Sequence, residues 1–155
     1  MNDVSPENVL VINPICSPMG FALYRNGKLA EEWKRRGYVS ENLAEEIKEL
    51  LERLELQEIV YINGPGSYMG IKLTYILLKT LEMLKGISFS ACSAFALNGG
   101  HPLKAMGELY FVKEKETIIT QVIKENIKQE FSFPALLEKL EREPDNRPDY
   151  RLPAV

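Results

Sequence analysis

Residues 63–70 read NGPGSYMG, set between a short β-rich run, Glu58–Ile62 (EIVYI), and a long stretch of helix formers, Ile71–Lys85. That order forces a sharp turn from a strand directly into a helix, which is how one half of a parallel crossover begins. The glycines permit positive φ and close backbone approach, Pro65 stiffens the corner, and free N–H groups at the start of the helix could accept an anion. A phosphate loop, however, lacks its parts. A Walker loop needs Lys and then Ser or Thr after its last glycine, whereas Gly70 is followed by Ile71-Lys72-Leu73. The dinucleotide fingerprint needs GxGxxG, and Gly64, Gly66 and Gly70 are spaced GxGxxxG. We read the segment as a structural corner.

The segments around it complete a sheet. Asn8–Ile15 and Gly20–Tyr24 are strand-like, Asn26-Gly27 is the pair that a two-residue hairpin turn favours, and a third strand covers about Lys28–Arg35. Ser40 can cap a helix through Leu54 with Leu43, Ile47, Leu50, Leu51 and Leu54 on one stripe. Gly86 can end the second helix, and Ile87–Cys92 reads as another strand. The order β-β-β-α-β-α-β predicts an α/β fold, a ribonuclease-H-like lobe with a mixed sheet over residues 1–100. After Asn98-Gly99-Gly100 the pattern predicts a reduced second lobe over residues 101–155. It comprises a hairpin, Glu108–Lys113 and Thr117–Ile123, and a short helix with stripe Phe133, Leu136, Leu137 and Leu140. A proline-rich tail over 143–155 is ordered only if Tyr150 and Leu152 dock.

Several chemistries lack their residues. The chain of 155 residues has one histidine, His101, in a Gly-Gly-His-Pro turn with no HExxH and no cysteine cluster, so no metal site is expected. A nucleophilic triad would need His101 beside Ser67 or Ser93, and nothing in the spacing places them together. A nucleotide site of the sugar-kinase and actin kind wants an Asp at the end of the first strand to organise a hydrated Mg²⁺, and that position is Asn13. Nineteen basic against 22 acidic residues give a net charge of −3, mixed along the helices, so any RNA contact needs a partner to supply it. Cys16 and Cys92 carry no CxxC spacing and read as reduced, buried small hydrophobes. No run approaches the roughly 18 apolar residues of a membrane span, and the start, MNDVSPEN, is polar and acidic; a cytoplasmic protein without membrane contact is expected.

The second helix carries a surplus. Leu73, Leu77, Leu81 and Leu84 form one stripe, with Ile76 and Met83 off one side and Ile71, Tyr75 and Leu78 off the other. One sheet cannot cover them all, and leaving large aliphatics in water forfeits about 1.5 to 3 kcal/mol apiece. A second helix packed against this one is the economical expectation, the alternative being that the hairpin and tail of the same chain cover the excess.

INGPGSYMGIKL, the long helix, a Gly-Ile turn into a strand and then Cys-Ser-Ala-Phe-Ala-Leu together resemble the TsaB family, whose loop usually reads GPGSFTG. Gly64, Pro65, Gly66, Ser67 and Gly70 match position for position, and Tyr68 replaces one aromatic by another. Ser40-Glu41 through Leu54, Gly107-Glu108-Leu109-Tyr110 and Pro148-Asp149-Tyr150-Arg151 are similar to further family segments in the same order; Asn13-Pro14 stands where the family has Asp-Thr.

The resemblance implies an actin-like ATPase fold without catalysis of its own. The chain would be a scaffold and activator that pairs with a TsaD-type paralogue in the complex that makes threonylcarbamoyladenosine in tRNA. A separate TsaE-type ATPase takes part, tRNA is met only through the complex, and the isolated chain is expected to homodimerise. No cofactor is expected in this chain, with ATP only at or near the partner interface. The partner face would comprise Ile71, Lys72, Leu73, Tyr75, Ile76 and Leu77, continue through Lys79, Thr80, Met83 and Leu84, and take in Leu43 and Ile47 of the first helix. The rival reading is a small ATP-binding phosphotransfer or ATPase domain of the same superfamily.

Overall fold

The computed structural model describes residues 7–37, 39–66 and 68–150. Its centre is a five-stranded sheet in the order β3-β2-β1-β4-β5, with β1 Asn8–Asn13, β2 Met19–Arg25, β3 Lys28–Arg35, β4 Glu58–Ile62 and β5 Ser88–Cys92. The first three strands are an antiparallel meander. Asn26 and Gly27 both take positive φ in its tight turn, as the Asn-Gly pair predicts. β4 runs parallel to β1, and β5 to β4, through the crossover helices α1 (Val39–Arg53) and α2 (Tyr68–Lys85).

The alternation of side chains along the strands divides the core in two. On one face Leu10, Ile12, Phe21, Leu23, Ile59 and Tyr61 pack against Leu43, Ile47 and Leu50 of α1 and Ile71 and Leu78 of α2. On the other, Val9, Val11, Ala22, Tyr24, Val60 and Ile62 meet Phe95, Leu97, Leu103, Phe111, Leu137 and Leu140. β1 is therefore buried along its whole length, and its run of apolar residues follows from being covered on both sides. The architecture is the expected α/β one: a mixed sheet in ribonuclease-H-like order, helices on one face, a smaller antiparallel sheet on the other.

That second sheet has the order β6-β7-β8, from β6 Leu103–Met106, β7 Leu109–Glu114 and β8 Thr117–Val122. The hairpin β7-β8 was legible in the sequence; β6 was not.

The expected helix on the stripe Phe133, Leu136, Leu137 and Leu140 is replaced by a single 3-10 turn, Leu137–Lys139. The segment is instead drawn out along the β2-β3 hairpin. Leu29 N–H donates to the Ala135 carbonyl at 2.9 Å, Leu137 N–H to that of Gly27 at 2.8 Å, and the Tyr24 hydroxyl to that of Pro134 at 2.6 Å. Leu137 and Leu140 are buried while Leu136 is exposed, the outcome of extended pairing overriding helical spacing.

The following residues form a strap rather than a loose tail. Glu143 N–H donates to Ala91 O at 2.8 Å, Asn146 Nδ2 to Phe89 O at 3.1 Å, and the Tyr61 hydroxyl to Asn146 O at 2.6 Å. Tyr150 docks on the helix-side core, and Leu152 lies outside the described residues. Arg142 pairs with Glu58 at 2.9 Å, and Ser90 Oγ donates to the same carboxylate at 2.5 Å. Burial pushes the Glu58 carboxyl up, but these hydrogen bonds and the Arg142 charge outweigh it and hold it below its ordinary value.

Candidate docking face and the loop that positions it

The glycine loop holds its shape through the chain's own backbone. Gly64 has φ +122°, and a Cβ there would lie 2.5 Å from the Asp149 carbonyl oxygen; one at Gly66 would meet Ile15 Cγ2 at 2.9 Å. Asn63 Nδ2 donates to Arg147 O, and Asp149 N–H to Asn63 O, each at 2.8 Å. The strap thus lies against the loop at Gly64, where its backbone leaves no room for a side chain, while a side chain at Gly66 would have to displace Ile15. This is a corner locked from outside. Pro65 is cis to Gly64, and Gly70 is buried at the start of α2, where its carbonyl accepts from Thr74 Oγ1 at 2.8 Å. Ser67 lies outside the described residues, as does the Tyr68 side chain.

With its first turn fixed, α2 has one rotation available, and it is not the one centred on Leu73, Leu77, Leu81 and Leu84. Ile71, Thr74 and Leu78 face the sheet and are fully buried, while Leu77 and Leu81 are half-buried against the same core and Leu73 is half-buried too. Tyr75 packs edge-on to Phe89 with ring centroids 5.9 Å apart, and Lys79 Nζ stands 5.9 Å over that ring while pairing with Glu82 at 3.4 Å. Lys72 is exposed.

The side turned away from the sheet presents Met69, Ile76, Met83 and Leu84, exposed by 58%, 49%, 79% and 78%. Met69, Ile76 and Met83 recur at heptad spacing, the repeat that keeps one helix face against another. Thr80 sits among them, its hydroxyl already donating to Ile76 O at 2.9 Å, so covering it strands no donor. Of the expected contact residues, Ile76, Thr80, Met83 and Leu84 therefore share one outward face. Ile71, Leu43 and Ile47 hold the helices to the sheet and are not on it. Met69, not among the residues expected from the sequence, shares that face; its heptad relation to Ile76 and Met83 was the available signal.

At the other side of the sheet a cleft of about 860 Å³ opens beyond the end of β1, lined by Asn13, Cys16, Lys34, His101 and Lys128 among others. Asn13 is buried and its Oδ1 accepts from Ile15 N–H at 3.1 Å, so it braces the turn after β1. Ser93 Oγ accepts from Phe95 N–H at 3.2 Å and caps a 3-10 turn. Cys16 is half-buried rather than buried; burial raises its thiol, and Sγ donates to Asn13 O at 3.6 Å. Burial likewise pushes Cys92 up to about 11. Neither is a thiolate at neutral pH. Among the described residues no group of three or more His, Cys, Asp or Glu side chains is placed to hold a metal ion, and no helix is long and apolar enough to cross a membrane.

Two solved structures from Pseudomonas aeruginosa share this architecture. YeaZ superposes with a TM-score of 0.56 at 13% identity, over 74% of this chain and 64% of that one. An uncharacterized protein with similarity to peptidase YEAZ gives a TM-score of 0.56 at 12% identity, over 74% and 63%. The chain spans just under two thirds of the length of these structures. No family model and no curated protein matches the sequence. What the likeness shows is the fold, which this chain shares with the two YeaZ-type structures.

Proposed function

We propose that this protein is a non-catalytic interaction subunit that binds a TsaD-type paralogue, and that it serves as scaffold and activator in making threonylcarbamoyladenosine in tRNA. The observation that carries the reading is the outward face of α2, where Met69, Ile76, Met83 and Leu84 stand in water on a helix whose other side is buried through Ile71, Thr74 and Leu78. Burying such side chains yields about 1.5 to 3 kcal/mol each, enough for a helix-on-helix interface with few polar contacts. The amide at Asn13, where a metal-organising carboxylate would be wanted, favours binding over catalysis, and the likeness in fold to YeaZ supports a TsaD-type partner. ATP, tRNA and a TsaE-type ATPase then act at the level of the complex, in the cytoplasm. Co-expression with a TsaD-type protein followed by size exclusion tests this: a one-to-one complex is expected, and separate elution of two folded proteins would refute it.

The cleft beside Asn13 favours a second reading, a small ATP-binding phosphotransfer domain. It requires that ATP with Mg²⁺ raise the melting temperature of the isolated chain, and the absence of a shift at millimolar ATP would dispose of it.

A further inference from the structure

An unpaired strand edge is a template for another strand, and folded proteins blunt such edges with charge, bulges or cover. In this molecule the other edges are treated in one of those ways. β3 carries Lys28, Glu31, Glu32, Lys34 and Arg35, and a bulge interrupts its pairing with β2. β5 is closed by the strap through Glu143 and Asn146. On β6, the Lys104 N–H donates to Gln129 Oε1 at 3.0 Å. β8, TIITQV, has no charged residue, ends its sheet, and exposes Ile119 and Val122, the latter by 61%.

The ladder fixes what that edge offers. β8 pairs with β7 in the register Glu114↔Thr117, Val112↔Ile119 and Tyr110↔Gln121, and Ile123 N–H donates to Glu108 O at 2.9 Å. Hydrogen-bonded pairs alternate in an antiparallel ladder, so Thr117, Ile119, Gln121 and Ile123 spend their backbone groups on β7. The N–H and C=O groups of Ile118, Thr120 and Val122 therefore point to the outer edge, which no strand pairs with among the described residues. A second strand can bond only in a register that sets these positions opposite one another.

We propose that the free edge of β8 pairs antiparallel with β8 of a second copy of this chain, about a two-fold axis through Thr120. In that register Ile118 lies opposite Val122 of the copy and Val122 opposite Ile118, an apolar pair repeated on the inner face, with Thr120 beside its own equivalent. Glu116 then lies opposite Lys124 of the copy, and by symmetry Lys124 opposite Glu116, so one register satisfies backbone, apolar and charge matching together. Centring the pair between Ile119 and Thr120 would oppose Lys115 to Lys124 and face free backbone groups with spent ones. β8 and α2 lie on opposite faces of the central sheet, so this contact and the α2 face can be occupied at once.

Sedimentation equilibrium of the full chain, made in an Ile76→Asp background so that association through α2 does not contribute, provides the test. A reversible dimer is expected. Glu116→Lys or Lys124→Glu alone should weaken it by about tenfold, because each places like charges opposite at both ends, and the two together should restore it to within about threefold. Thr120→Pro, which removes a free-edge N–H and leaves the bonds to β7 in place, should abolish it while circular dichroism remains native. A monomer at all concentrations, equal affinities across the charge variants, or a double variant no better than the singles would overturn the proposal. Loss of TsaD-type binding by Ile76→Asp with the β8 dimer intact would separate the two surfaces.

Discussion

Helices α1 and α2 lie side by side on one face of the same sheet, yet they are finished differently. α1 turns Leu43, Ile47 and Leu50 into the core and Glu45, Lys48, Glu49, Glu52 and Arg53 outward. Even the buried carboxylate of Glu46 is held: it accepts from Trp33 Nε1 at 2.5 Å and Arg35 Nε at 2.7 Å. α2 buries Ile71, Thr74 and Leu78 equally well, then places Met69, Ile76, Met83 and Leu84 outside. The sheet asks the same of both helices, so the second apolar face of α2 is not explained by packing on the sheet, and it is the face to which the proposed function assigns the partner. An apolar face on a well-anchored helix stabilises a complex without being needed for folding.

The comparison can be broken or sharpened by substitution. Leu78→Ala removes a fully buried side chain from between α2 and the sheet and should cost about 3 kcal/mol of folding stability in denaturant titrations, as should Leu50→Ala on α1. Gly64→Ala forces a side chain at positive φ into the Asp149 carbonyl. We expect a loss of about 2 kcal/mol or more, with hydrogen exchange of the strap amides accelerated before that of the sheet. Ile76→Asp on the outward face should cost about 2 kcal/mol of binding to a TsaD-type partner while moving folding stability by only about 0.5 kcal/mol. Leu77→Asp, half-buried, should weaken both together.

The smallest effect concerns the strap. The folded-state pKa of Glu58 is lowered, so its contribution is complete above the ordinary carboxylate pKa and is lost as pH falls through the lowered folded value. Wild type should therefore lose stability relative to Glu58→Gln on acidification, by about 1 kcal/mol, since the pair with Arg142 is partly exposed. Parallel acid profiles of the two proteins would remove Glu58 from this account.

The sheet and its two helices were legible because their signals are local and mutually consistent: Asn26-Gly27 for the hairpin, Leu43, Ile47 and Leu50 for α1, a β-rich run before the glycine corner. The outward face of α2 was legible in kind but not in phase. A helix apolar on two sides has no single periodic stripe, and Gly64 and Gly66, packed against Asp149 and Ile15, fix its entry. β6 went unread because four residues with a bulge between Lys104 and Met106 carry no alternation to detect. The stripe from Phe133 to Leu140 suggested a helix because apolar spacing says nothing of distant backbone partners, which here are the carbonyls and amides of Gly27 and Leu29. The strap is held by Asn63, Tyr61 and Asn146 reaching backbone groups, contacts between segments far apart in the chain that no local pattern announces.

Calorimetric titration of a TsaD-type protein with the wild-type chain and with Met83→Asp, each checked for an unchanged melting temperature, addresses the central claim most directly. Binding by the wild type and a loss of about 2 kcal/mol in the variant is the expected result. Equal affinity of the two folded proteins would mean that the outward face of α2 is not where this molecule meets its partner.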